Sequence, residues 1–134
     1  MELDVSSCVL DSSVWVALFL DGDTNHEKAA EIFDSITRRV YVPYVVLSEV
    51  ATALTYKFSK RQADKFLQFV TDNERFSLID NRYATDVPAF LKFADRISFA
   101  DIAIIGTALT MESTLITFDK QMKKLYERVL EHRS

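Results

Sequence analysis

Apolar residues along this chain fall into two kinds of run, and their alternation predicts the fold. Short runs at Ser7–Leu10, Val40–Val42, Phe76–Ile79 and Thr114–Phe118 are too brief for helices and read as strands buried on both faces. Longer stretches with helical spacing lie between them. Ser12 or Ser13 can cap the apolar segment SSVWVALFL. After the Asp21–Gly22–Asp23 turn, Thr24 can cap a second helix to about Thr37, with Ala29, Ile32, Phe33 and Ile36 on its apolar face. Pro43 suits the first position of a third helix through YVVLSEVATALTYKF. Ser59 starts a fourth, with Phe66, Leu67 and Val70 inward and Lys60, Arg61 and Lys65 on a solvated outer face. Asp80–Asn81 signals a turn, and Tyr83–Phe93 reads as a helix with Pro88 near its first turn or at a break. An apolar helix from Ser98 runs into the fourth strand, and a basic helix starts at Lys120. The last residues, VLEHRS, suit either a fifth short strand or a helix end. Strands alternating with helices in this way predict one α/β domain over residues 1–134, a parallel sheet covered by helices on both sides.

Against that apolar background, a few acids stand out. Asp101 is the only charged residue between Arg96 and Glu112, and Ile104, Ile105 and Ala108 share its helical face. A carboxylate in such company is costly unless it is paired or bound to a cation. Glu49 lies among Val45, Val46, Val50 and Ala53. Asp11 ends the first strand and Asp119 the fourth. In an open doubly wound sheet, ligands bind beyond the carboxyl ends of the strands, where the strand order reverses. If the order is 3-2-1-4, Asp11 and Asp119 meet at that reversal, about 4.8 Å apart at the backbone. Asp80 also ends a strand, but one lying two removed from the first, about 10 Å away. Structural roles compete with each acid. Ser98 and Asp101 match a capping box, Asp11 and Asp119 suit helix caps, and Glu49 suits a buried ion pair. Gly106, costly in a helix by about 1 kcal/mol relative to Ala, is expected to let its helix pack closely on the sheet. Trp15 fits core packing better than base stacking, and Cys8 fits a small buried apolar residue.

Composition narrows the chemistry. The chain holds two glycines, Gly22 and Gly106, which excludes a P-loop, a Gly-rich dinucleotide turn and a nucleophile elbow. One cysteine permits no internal disulfide, and with His26 and His132 near opposite ends a structural zinc site is not expected. No apolar run reaches the ~20 residues of a membrane span, and the acidic opening MELDVSS lacks the order of a secretory signal; a cytoplasmic protein is expected. The net charge of −4 argues against tight non-specific nucleic-acid binding, unless an acidic pocket that holds cations supplies the excess. Four clustered carboxylates raise one another's pKa values, and the arrangement becomes sensible around a divalent cation. Oxygen-only ligands suit Mg²⁺ or Mn²⁺, which activate water and neutralise phosphate in phosphodiester cleavage.

The ordered segments VLDSSVWVALF, VPYVVLSEVATAL, SFADIAIIGTAL and LITFD resemble those of the PIN-domain nucleases, most of all the single-domain VapC-type toxins of toxin–antitoxin pairs. The resemblance covers nearly the whole chain. It implies a three-layer αβα sandwich around a parallel sheet of four to five short strands in the order 3-2-1-4-5. It also implies a Mg²⁺- or Mn²⁺-dependent ribonuclease whose catalytic acids are Asp11, Glu49, Asp101 and Asp119. Asp11 and Asp101 would be the direct metal ligands, Glu49 and Asp119 would complete the site partly through water, and Ser12 and Thr117 would orient carboxylates or water. Many relatives carry a further acid after the T-x-D turn, where Lys120 and Gln121 stand here. An RNA substrate, a cognate antitoxin whose tail fills the acidic groove, and a homodimer are implied as partners. Lys120, Lys123, Lys124 and Arg128 would lie beside the pocket and guide phosphate. Two other readings compete: a non-catalytic PIN-fold binding module, and an Asp-based phosphoryl-transfer protein of the receiver or haloacid-dehalogenase type. Ser13, standing where a D-x-D nucleophile pair needs its second acid, speaks against the last.

Overall fold

The computed structural model describes residues 7–133; residues 1–6 and Ser134, counted in the single domain above, lie outside the described residues. The elements in order are β1 (Ser7–Leu10), α1 (Ser12–Phe19), α2 (His26–Ser35), β2 (Arg39–Pro43), α3 (Tyr44–Lys57), α4 (Lys60–Thr71), β3 (Phe76–Ile79), α5 (Tyr83–Lys92), α6 (Phe99–Thr110), β4 (Thr114–Ile116) and α7 (Lys120–Arg133). All strands are parallel, in the order β3-β2-β1-β4, and helices cover the sheet as a three-layer αβα sandwich. The central strand β1 is registered with Val9 beside Tyr41 on one side and Leu115 on the other. The strand order therefore reverses between β1 and β4, as the pattern of acids requires.

An aromatic cluster fills one face of the sheet. Trp15 on α1 is fully buried among Phe19, Phe33, Phe66 and Phe76, with Phe69 completing the group. Each such side chain contributes about 2–3 kcal/mol by leaving water. Trp15 is thus a core residue, which removes it from base stacking. Cys8 is likewise buried, and burial pushes its thiol up to about 12, so it behaves as a small apolar group.

Several local expectations are corrected. Thr24 caps nothing among the described residues: α2 starts one residue later with Asn25 at its N-cap position, and the turn is held by Asp23 Oδ1 accepting from Asn25 N at 2.8 Å. The helix ends at Ser35 rather than Thr37. Pro43 closes β2 and precedes α3 in an extended conformation, because its ring has no N–H to give the sheet beyond that point. Pro88 lies inside α5, which continues through it. β4 stops at Ile116, so Asp119 follows the strand by three residues. No fifth strand forms among the described residues, because α7 carries the chain through Arg133.

Candidate active site at the carboxyl edge of the sheet

The site begins where β1 ends. Asp11 N–H donates to Ile116 O at 2.9 Å, the last rung between β1 and β4, and the chain turns at once into α1. Asp11 is the N-cap of α1: its Oδ1 accepts from Ser12 N at 2.8 Å. Its Oδ2 accepts from two hydroxyls, Thr117 Oγ1 at 2.6 Å and Ser13 Oγ at 3.2 Å. The carboxylate is only 7 % exposed, and three donors hold it at the helix start.

Thr117 joins the two strand-end acids. Its hydroxyl donates to Asp11 and accepts from Asp119 N at 3.0 Å. Asp119 then caps α7 through Oδ1, which accepts from Gln121 N at 2.9 Å and Met122 N at 3.2 Å. The structural role expected for Asp119 is therefore real, and the residue remains exposed. Ser13 stitches the same junction, accepting from Phe118 N at 3.3 Å.

Glu49 enters from α3 and is exposed, not packed among the valines flanking it in sequence. Its Oε1 accepts from Ser12 Oγ at 2.7 Å, which joins α3 to the start of α1. Ser12 thus orients Glu49, while Thr117 orients Asp11. Asp101 sits in the first turn of α6. Ser98 caps that helix, accepting from Asp101 N at 3.0 Å. Burial raises the Asp101 carboxyl above its ordinary value, and the charges of Asp11, Asp119 and Glu49 add to the rise; the Ser98 hydroxyl, bonded to the carboxylate, pulls it back.

Asp101 thus feels the charge of the other three acids, and among the described residues none of the four pairs with a Lys, Arg or His. Asp80 takes no part; it lines a separate 70 Å³ hollow beside Arg82. The donor set suits a hard divalent cation: carboxylates only, with no thiolate or imidazole. Among the described residues, no three such groups are drawn together tightly enough to enclose one ion. Glu49 and Asp119 are instead engaged by nearby donors, Glu49 by the Ser12 hydroxyl and Asp119 by the α7 backbone. A cleft of about 640 Å³ opens beside them, lined by Ser12, Ser13 and Val16 of α1, Glu49, Thr52 and Lys57 of α3, and Phe118.

The sequence model of the PIN domain matches residues 8–128. The chain belongs to the PIN domain family. Membership sets aside the Asp-based phosphoryl-transfer reading. Among solved structures, the fold is similar to Mycobacterium tuberculosis VapC20, described as a sarcin–ricin loop cleaving toxin. The TM-score is 0.80 at 19% identity, covering 88% of this chain and 94% of that one. It is also similar to VapBC2 from Rickettsia felis bound to a promoter DNA fragment, with a TM-score of 0.64, 17% identity, and 88% and 92% covered. A sequence search of curated proteins finds no significant match.

Two features of this PIN domain were missed in the sequence. The pattern offers Ser13 as a cap and not as a partner of Asp11; the signal for the latter is the serine doublet directly after a strand-end acid. The second is a largely buried pair, Arg82 at the N-cap of α5 and Asp86 in its first turn, whose side chains are 17% and 7% exposed and 3.7 Å apart. Arg82 donates to Thr110 Oγ1 at 2.8 Å and to Thr107 Oγ1 at 3.4 Å, tying α5 to α6 and so to the helix that carries Asp101. Gly106 is explained here rather than by the sheet: a Cβ on it would lie 3.2 Å from Arg82 Nη1 and 3.4 Å from Asp86 Oδ1.

Proposed function

We propose that this PIN domain is a divalent-metal-dependent endoribonuclease of the VapC type, the toxin of a toxin–antitoxin module. The observation that carries the reading is the convergence of four carboxylates from four elements with no cation paired to any of them among the described residues. Asp11 and Asp101 are the direct ligands, and Glu49 and Asp119 complete the set. A Mg²⁺ or Mn²⁺ ion held there supplies an activated water and neutralises the phosphate during hydrolysis. The chain's own groups do the rest. Ser12 N, Ser13 and Thr117 fix Asp11, the Ser12 hydroxyl fixes Glu49, and the α7 backbone holds one oxygen of the Asp119 carboxylate. The exposed Lys120, Lys123 and Lys124 at the start of α7 guide phosphate; Arg128 of the same group already pairs with Asp95 at 2.9 Å.

The two similar structures support the toxin role: one is described as an RNA-cleaving toxin, and the other holds a toxin with its antitoxin on DNA. We take the partner to be an antitoxin whose tail enters the acidic groove. A homodimer is supported by the exposed apolar side chains Tyr83, Val87 and Leu91 of α5 with Phe99 of α6. The test is cleavage of cellular RNA by purified protein. Activity should require Mg²⁺ or Mn²⁺, stop in chelator, and fall by two or more orders of magnitude in Asp101→Asn. A second reading, a PIN-fold module that binds without turnover, draws on the engagement of Glu49 and Asp119 with local donors. Metal-independent RNA binding with no cleavage by wild type would favour it.

A further inference from the structure

We infer that the corner between α3 and α4 is a single-stranded RNA subsite, where Lys57 meets a phosphate and Phe58 stacks on a base. The inference rests on the ribonuclease reading and deepens it. The catalytic acids are a poor place to gain affinity for a polyanion. Even with one divalent cation bound, four carboxylates keep a net negative charge. Binding energy for RNA must therefore come from surface outside them. Such surface has to be cationic, aromatic or both, and continuous with the acids.

The corner meets each condition. The cleft beside Glu49 and Ser12 reaches Lys57 at the end of α3. A second cleft of about 620 Å³ starts from that same Lys57 and runs on past Phe58, Gln62 and Lys65 to Phe19. Residues 57–65 carry Lys57, Lys60, Arg61 and Lys65 against one acid, Asp64, in a chain whose overall charge is −4. Asp64 is bound to Lys60, and Lys57, Arg61 and Lys65 form no ion pair among the described residues. Two aromatic side chains stand in water at the same corner: Tyr56 is 85% exposed and Phe58 64%. Exposed aromatics interleaved with unpaired cations are the chemistry of a stacking platform for bases along a phosphate track. Asp21 and Asp23 face the second cleft from the α1–α2 turn, and Asp23 uses Oδ1 on Asn25 N. Gln62 Nε2 donates to Phe19 O at 2.7 Å, which fixes the corner against the end of α1.

The test uses Asp101→Asn protein, which binds without cutting, and a fluorescein-labelled mixed-sequence single-stranded RNA of about 20 nucleotides. Anisotropy gives Kd across a series of KCl concentrations. Phe58→Ala should weaken binding about tenfold or more, within the range for loss of one stacked base. Lys57→Gln should flatten the log Kd against log salt slope by about 0.7, one released counterion on a single strand. Lys92→Gln, on the exposed face of α5, should leave the slope as it was. All three positions are exposed, so circular dichroism and Tm should match the parent. If the parent binds RNA and neither Phe58→Ala nor Lys57→Gln changes affinity or slope, the inference is overturned and the corner is left to a protein partner. If the parent binds no RNA while wild type with Mn²⁺ still cleaves it, binding runs through the acids and the inference is overturned; if wild type with Mn²⁺ neither binds nor cleaves, the ribonuclease reading falls with it.

Discussion

Asp11 is buried, ionisable and held by three donors without a cation, so its neighbours decide how firmly it is aimed. Ser13 is the most informative of them, because its one hydroxyl serves both Asp11 and the backbone of Phe118. Ser13→Ala should lower stability by about 1 kcal/mol, the usual worth of such a bond. It should also weaken Mn²⁺ binding by about tenfold, as loss of a group that orients a ligand does. Calorimetric titration with Mn²⁺ measures the second effect; an unchanged affinity would make Ser13 a strand-to-helix stitch and nothing more. Asp101 gives the opposite sign. Burial and three like charges disfavour its ionised form. Asp101→Asn should therefore raise Tm by a few degrees in chelator while removing the response to Mn²⁺. If wild type and variant respond equally to Mn²⁺, Asp101 serves α6 only as a first-turn acid.

At the scale of elements, α5 and α6 are locked by a pair that no residue pattern announced. An Arg and an Asp four apart look like an ordinary surface pair, and only the neighbouring helix, with Gly106, Thr107 and Thr110, makes them interior. Removing one partner leaves a buried charge. Arg82→Ala should cost about 3–5 kcal/mol, whereas Arg82→Met with Asp86→Leu should be neutral or stabilising. Chemical denaturation compares them. Gly106→Ala should fail to gain the roughly 1 kcal/mol that Ala offers a helix in wild type, and should recover it in the apolar double variant. The pair also sets a pH trend. Burial raises the Asp86 carboxyl and Arg82 pulls it back. The folded chain therefore binds that proton more tightly than the unfolded one. Stability from this group is full below the ordinary value of 3.8 and is lost as pH climbs through the raised one. Wild type should lose stability relative to Asp86→Asn over that climb; the reverse trend would rank the Arg82 charge above burial. What was legible in the sequence follows the same logic. The strand order comes with the resemblance to the PIN domains, and the four acids can be picked out because a carboxylate stands out among apolar neighbours in the sequence. Thr24, Gly106 and the end of α7 were misread or left open because their partners lie on other elements or in turn geometry.

Across the whole molecule, the four site acids account for the entire excess of 20 acidic over 16 basic residues. The remaining 16 acidic and 16 basic residues balance in number. Each acid comes from a different part of the fold: Asp11 where β1 meets α1, Glu49 from α3, Asp101 from α6, and Asp119 at the start of α7. A cation bound there would tie these parts together only in the folded chain, and its binding energy would appear as global stability. At a Mn²⁺ concentration 100 times its Kd the gain is about 2.7 kcal/mol, which for a domain of this size moves Tm by roughly 10 °C. The rise should be saturable in Mn²⁺, reversed by chelator, and absent in Asp11→Asn with Asp101→Asn. Monovalent salt acts by screening alone, so in chelator KCl should raise the Tm of wild type gradually and that of the double variant much less. A Tm that follows ionic strength, and treats Mn²⁺ as no more than an equal dose of screening charge, would mean that the acids repel one another without holding a metal.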